Sequence, residues 1–484
     1  MFTDAMSRFT LVLLLIFSAP ALFAQQYDVV IEGGRVIDPE TGLDAVRNLG
    51  IRAGKIARIS TAKLEAKQVL KAAGLVVAPG FIDLHQHGQD LDSQKLKAMD
   101  GVTTALELEI GAPDVGQFLK AKEGHSLINF GTTASHVAAR SLAFGRSIPA
   151  GDILPVAGTA TDQPATAEQL RRMQDRLNQE LDAGALGVGM GIQYVPGATR
   201  LEVIQVFRLA AQRDVPVFTH IRSAGRLEPG SSIESVSEVI GAAAITGASL
   251  HIVHINSSCA KDAPECLALV EGARARGLDV TTEAYPYEAG MTSVSSALFN
   301  PGWQAKFGMD YHDLMLPDTG ERLTKERFEE LHKSTESHWV ITFSNTLEAV
   351  DAIIPHPLVM IASDGAPGHP RNAGTYTRVL ARYVRAQGRL TLMDAIRKMT
   401  LMPAEVLEKA TAAARAKGRL QEGTDADIVV FDPKTISDRA TYQHPTEPSV
   451  GVRYLLVGGT LVVNDGKIVA DVIPGRALVG PGKQ

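Results

Sequence analysis

From residue 76 onward, short apolar runs rich in β-branched residues alternate with stretches of helical periodicity, at about 81–87, 104–110, 127–135, 185–191, 215–220, 249–254, 279–284 and 358–364. These runs are apolar along their length instead of alternating with polar residues, which is how strands buried on both faces read in a parallel sheet covered by helices. Eight of them predict an α/β fold built as a closed (β/α)8 TIM barrel. The pattern is interrupted over 295–350, where an insertion precedes the last strand and its "WVITF" reads as a further strand.

Both ends of the chain have a different texture. "YDVVIEGGRVIDPETG" and "NLGIRAGKIARIS" near one end, and "ADIVVFDP" and "RYLLVGGTLVVNDGKIVAD" near the other, read as short strands, with hairpin turns at Gly33-Gly34 and Gly54-Lys55. They predict one small β-sandwich made from both ends. The expected organisation is residues 25–75 and 416–484 in that domain and 76–415 in the barrel.

The first 24 residues belong to neither. Arg8, the apolar run Phe9 to Phe17, and small residues to Ala24 come in the order of a cleavable secretory signal. The run is shorter than the ~20 residues of a spanning helix, so the expectation is an exported protein, placed in a bacterial periplasm, with no membrane span in its mature form. In that oxidising setting Cys259 and Cys266 are expected to form a disulfide. The 484 residues are 45% hydrophobic and 21% charged, with formal charge -6 and scattered basic residues, which excludes a nucleic-acid-tracking surface. Oligomeric state is not readable.

In a barrel of this kind, chemistry gathers at the C-terminal ends of the strands. His85 and His87 end the first run, two apart and so on one face. "TTALELEIG" puts Glu107 and Glu109 on one face of the second, where a buried carboxylate requires a positive partner. His220 ends the fifth. The sixth carries His251 and His254, three apart and expected to face opposite ways, with His254 nearer the edge; Asp364 ends the eighth. Singly, each is an ordinary core or turn residue. Together, four of thirteen histidines with acidic residues at one rim predict a metal site, with Zn2+ the expected ion and one or two bound.

The order "APGFIDLHQHG", "GVTTALELEIG", "TH", "VHI", "SDG" resembles the amidohydrolase superfamily. "GALGVGMGIQYVPGA", "FTHIR", "YPYEAGMT", "SDGAPGHPRNAGTYTRVL" and "MTLMPAEVL" are similar to its N-acyl-D-amino-acid deacylase branch, including the N-acyl-D-glutamate deacylases. The resemblance implies one site of Glu109, His220 and His254 and another of His85, His87 and Asp364, with Glu109 shared. It also implies a linear amide substrate, an N-acyl-D-amino acid cleaved by metal-activated hydroxide, with Asp364 as general base and acid. Two departures matter. Ile110 stands where the branch has a bridging cysteine, leaving Glu109 as the bridge and Glu107 as reserve, and Asn256 stands where the branch tends to carry a lysine. No lysine lies between Lys122 and Lys261, so the carboxylated lysine of many cyclic-amide hydrolases is excluded.

A substrate carboxylate calls for a fixed cation, and Arg222 and Arg378 are the candidates. Tyr194 is implied as an oxyanion donor, and Tyr285 and Tyr287 as lining the acyl or side-chain pocket. Two other readings stay open, a peptidase acting on D-residues or isopeptides and a periplasmic protein that binds metal or ligand without turnover. No GxSxG elbow and no phosphate-binding loop are present.

Overall fold

The computed structural model describes residues 27–148, 152–225, 227–334 and 336–483. The segment expected to be a secretory signal lies outside them. Eight parallel strands follow one another around a nearly closed barrel: β1 (Phe81–Asp83), β2 (Val102–Ala112), β3 (Asn129–Ser135), β4 (Val188–Gly191), β5 (Val217–His220), β6 (Leu250–Ile252), β7 (Val280–Ala284) and β8 (Val359–Ile361). Every residue of β2 is buried, as are all of β3. That is why their sequence lacks alternation: one face packs inside the barrel and the other under helices. Two of the helices between strands, Arg200–Gln212 and Ser232–Thr246, begin where a short polar side chain, Thr199 or Ser231, caps their free N–H groups.

The strands' inner residues Ile82, Leu106, Leu108, Leu186, Phe218 and Met360 form one core with Val406 and Leu407 of the helix Leu401–Leu407. Burying each such side chain contributes about 1.5–3 kcal/mol. Leu478 joins this core from the far end of the chain. Residues 475–480 run beneath β3 and β4, with Gly475 N–H donating to Ser126 O, Leu478 to Phe130 O and Gly480 to Gly184 O at 2.7–2.9 Å. Between β8 and β1 the circle closes just beyond the strand ends, where His87 N–H donates to Gly365 O at 2.8 Å, and through side chains: Ser363 Oγ donates to Asp83 Oδ2 at 2.6 Å, and Lys97 Nζ meets the same oxygen at 3.0 Å.

The two ends of the chain share a nine-stranded sheet, joined where Val76–Pro79 pairs antiparallel with Ile428–Phe431. The small β domain expected from both ends is therefore present, its strands hydrogen-bonded in succession around their own core of Ile31, Leu49, Ile51 and Ile428. Because Val76–Pro79 belongs to it, the barrel starts near residue 81, not 76. Gly33-Gly34 makes no hairpin turn. It is a bulge inside the strand Tyr27–Asp38, whereas Gly54 does turn the chain between Leu43–Arg52 and Lys55–Ser60. The insertion supplies Leu314–Met315 and Trp339–Thr342, which join Gly290–Ser293 just before it in an antiparallel sheet over a small core that includes Phe299, Trp303 and Phe328. Cys259 and Cys266 are buried free thiols in the helical layer, so the expected disulfide is absent. Among the described residues no helix is long and apolar enough to cross a membrane.

Candidate active site

The C-terminal ends of β1, β2, β5, β6 and β8 converge on one buried cluster. His85 and His87 leave β1 on the same side, with Nε2 atoms 3.2 Å apart. Glu109 reaches between four imidazoles. Its Oε2 is 3.1 Å from both His85 Nε2 and His87 Nε2, and its Oε1 is 2.6 Å from His220 Nδ1 and 3.1 Å from His254 Nε2. Asp364 Oδ1 lies 3.4 Å from His85 Nε2 and 3.3 Å from His87 Nε2. Two ligand sets result, His85, His87, Glu109 and Asp364 in one and Glu109, His220 and His254 in the other. Glu109 turns one oxygen to each.

A local break in the sheet lets Glu109 do this. From Glu107 to Ala112, β2 advances five residues while β3 advances two, Thr132 to Ala134. The resulting bulge lies against Gly189 of β4, where a Cβ would come 2.5 Å from Glu109 O and 2.8 Å from Leu108 O. Gly189→Ala is therefore expected to shift the bulge and weaken divalent-ion binding by about 10- to 100-fold, the cost typical of a lost supporting contact. Chelator competition measures this, and Gly241→Ala, which meets nothing within 4 Å, is the control.

Each imidazole is also held from behind. His87 Nδ1 is 2.7 Å from Glu107 Oε2, His85 Nδ1 is 2.7 Å from Glu283 Oε1, His220 Nε2 is 2.5 Å from Gln193 Oε1, and His254 Nδ1 is 3.0 Å from Ser258 Oγ. Glu107 thus orients His87, leaving Glu109 in the central position. The reading that His251 and His254 face opposite ways fails, because β6 ends at Ile252 and His254 takes φ +30°, outside strand alternation. Both rings point inward, His251 onto Glu283 at 3.1 Å and His254 onto Glu109.

The donor set fits a divalent ion. Ligand atoms in a tetrahedral zinc site lie ~3.3–3.6 Å apart, given bonds of about 2.0–2.2 Å, and the separations in the first set are 3.1–3.4 Å. Glu107, Glu109, Glu283 and Asp364 are four buried carboxylates, and Arg371 is the guanidinium that reaches them, 2.9 Å from Asp364. Positive charge is in demand. Burial alone would lower His85, yet Asp364 and Glu109 push it up to about 10. His220, by contrast, is lowered by burial and by neighbouring His254, towards the neutral ring that a metal requires.

The cluster opens into a cavity of about 320 Å³ lined by Tyr194, Tyr285, Thr292 and Asp364 among others and roofed by the insertion through Phe307, Met309 and Trp339. Three expected substrate contacts lie elsewhere. Arg222 forks onto Glu238 at 2.6 and 2.8 Å, a partner on the following helix. Arg378 donates to Asp438 Oδ2 and Pro286 O, both at 2.9 Å, and stacks over Tyr287. Tyr287, placed in the pocket by the sequence reading, packs instead between Arg378 and His369; Tyr285 is the tyrosine on the cavity wall. The cation the reading missed is Arg371. Its guanidinium is fully buried, stacks over Tyr285 at 4.6 Å and meets Asp364 through Nη2, while Nε and Nη1 make no hydrogen bond. Its position in "SDGAPGHPR", seven residues beyond Asp364, was the available signal. Glu283 was equally visible as a carboxylate inside the apolar run "DVTTEAY".

The sequence profile of the amidohydrolase family matches residues 151–463. The chain belongs to this family. An N-acyl-D-glutamate deacylase of Alcaligenes xylosoxydans xylosoxydans is 30% identical to this amidohydrolase over 492 residues, covering 90% of the chain and 94% of the relative. The crystal structure of the N-acyl-D-glutamate deacylase from Bordetella bronchiseptica, complexed with zinc and a phosphonate inhibitor that mimics the reaction's tetrahedral intermediate, superposes with a TM-score of 0.79 at 29% identity, covering 94% of this chain and 100% of that one. A D-aminoacylase structure, described for its binuclear metal centre, gives a TM-score of 0.78 at 25% identity, covering 93% of this chain and 99% of that one.

Proposed function

We propose that this amidohydrolase cleaves the amide bond of N-acyl-D-amino acids with one or two divalent ions, zinc first among them. The observation that carries the reading is Arg371. Its buried guanidinium stands behind the cavity wall, 2.9 Å from Asp364 and stacked over Tyr285, and its Nε and Nη1 have no hydrogen-bond partner, which is costly to maintain; Tyr285 Oη and Thr292 Oγ1, on the wall itself, also have none. A fork and two hydroxyls make a receptor for a carboxylate next to hydrolytic machinery.

His85, His87, Glu109, His220, His254 and Asp364 would hold the ions, which supply Lewis acidity that activates water and polarises a carbonyl. Asp364 takes the proton of the attacking water and returns it to the departing nitrogen. Burial raises its pKa, but Arg371 and then His85 outweigh that and hold the carboxyl well below the usual range, so it is ionised. Burial, with the charges of Glu109 and Asp364 behind it, pushes the Tyr194 phenol well above its ordinary value. It stays protonated and donates to the oxygen on which negative charge develops. Export to the periplasm is part of the same proposal, supported by the order of Arg8, apolar run and small residues.

The test is metal analysis of the purified protein, followed by release of free amino acid from N-acetyl and N-formyl derivatives of D- and L-amino acids. Release of D-amino acids supports the reading, and turnover of L-substrates alone overturns it. Arg371→Ala should lower kcat/KM by about 30- to 1000-fold, since it removes one side of a buried charge contact worth about 2–4 kcal/mol.

A further inference from the structure

Two of the relatives named above are N-acyl-D-glutamate deacylases, and an acidic side chain would need a second cation beside the one that receives the α-carboxylate. Among the described residues, the cavity lining provides no buried one. Among the described residues lining it, Lys261 is the one lysine or arginine, and Lys261 is exposed. Asn256 is committed to the backbone of Tyr285, donating from Nδ2 to its carbonyl at 3.1 Å and accepting from its N–H at 3.3 Å. Arg222 and Arg378 are held by Glu238 and Asp438.

What the wall offers instead is apolar surface. Ile110, Ile153, Leu154, Leu298, Met309 and Trp339 face the space beyond the cluster. They come from three separate parts of the chain: the β2 bulge, the loop after β3 and the insertion. Within one packed cluster, Ile110 and Leu154 meet Tyr194, with Ile153, Leu298 and Trp339 against them. A carboxylate placed on such a wall loses its water without gaining a partner, whereas each methylene buried there strengthens binding about fourfold.

We propose, taking the hydrolase reading above as basis, that this cavity selects an N-acyl amino acid bearing one bulky apolar substituent, on its acyl or its amino-acid side, and rejects a second carboxylate at that position. The apolar wall is the specificity determinant, and Ile153, half-buried on the loop, is one of its accessible members with Leu298 and Trp339.

The experiment is calorimetric binding to the full-length Asp364→Asn variant of N-acetyl-D-leucine, N-octanoyl-D-alanine and N-acetyl-D-glutamate, with wild-type kcat/KM on the same three compounds as a second measurement. At least one apolar ligand should bind 30-fold or more tighter than N-acetyl-D-glutamate. Tight binding of the leucine compound assigns the wall to the amino-acid side chain, and tight binding of the octanoyl compound assigns it to the acyl group. Ile153→Arg should raise affinity for N-acetyl-D-glutamate at least tenfold. Glutamate binding as well as or better than both apolar ligands overturns the proposal, as does failure of both apolar ligands to bind. If the ranking holds but wild-type enzyme hydrolyses none of the three, the hydrolase reading falls while the cavity assignment stands.

Discussion

Replacing Asp364 by Asn should lower kcat by about 10³-fold, within the range that general acid–base groups supply, while the purified variant retains more than half of its bound metal. The side chain keeps its size and one oxygen. It remains at the end of β8, where φ is +50° and Gly365 follows, and it still faces His85, His87 and Arg371. What it loses is the negative charge that receives a proton. Measuring kcat beside metal content by plasma emission separates the two roles given to this residue. Full turnover in the variant would refute the proton-transfer role, and loss of all metal with normal folding would make Asp364 chiefly a ligand.

The second large effect is expected at Glu109. Glu109→Ala removes the carboxylate shared by both ligand sets, so metal affinity should fall by at least ~100-fold, with hydrolysis falling in step. Glu107→Ala takes away only the carboxylate behind His87, at 2.7 Å, and should cost about 10- to 100-fold, as loss of an orienting partner does. The pair is a direct contest between adjacent strand positions. If Glu107→Ala empties the protein and Glu109→Ala does not, the central role passes to Glu107. The charge change predicts the same order: Glu109 is held well below the usual carboxylate range against burial, chiefly by His85, His220 and His254.

How much of this could be read from sequence depends on the range of the determinant. The barrel strands were legible because burial on two faces leaves an apolar run of fixed length. The pairing of His85 with His87 followed from alternation within a few residues. His254 could not be oriented that way, because its backbone leaves the strand after Ile252. The arginines were harder still. Whether Arg222, Arg371 or Arg378 reaches the cavity is decided by partners such as Glu238 and Asp438, the latter 60 residues beyond Arg378 in the chain. Composition at one position says nothing of such a partner. The break at Gly33-Gly34 was misread for a related reason: a doubled glycine marks both turns and bulges, and the choice here depends on Asn48, whose Oδ1 accepts from Gly33 N–H at 2.8 Å.

The strap of residues 475–480 under β3 and β4 ties the order of synthesis to the order of assembly. Leu478 seals the underside of a cylinder whose first strand was made almost 400 residues earlier, and Ile428–Phe431 completes a sheet begun at Tyr27. A chain synthesised only as far as β8 therefore lacks both its floor and the strands that complete its outer sheet, so tight packing waits until residues 428–480 have been made.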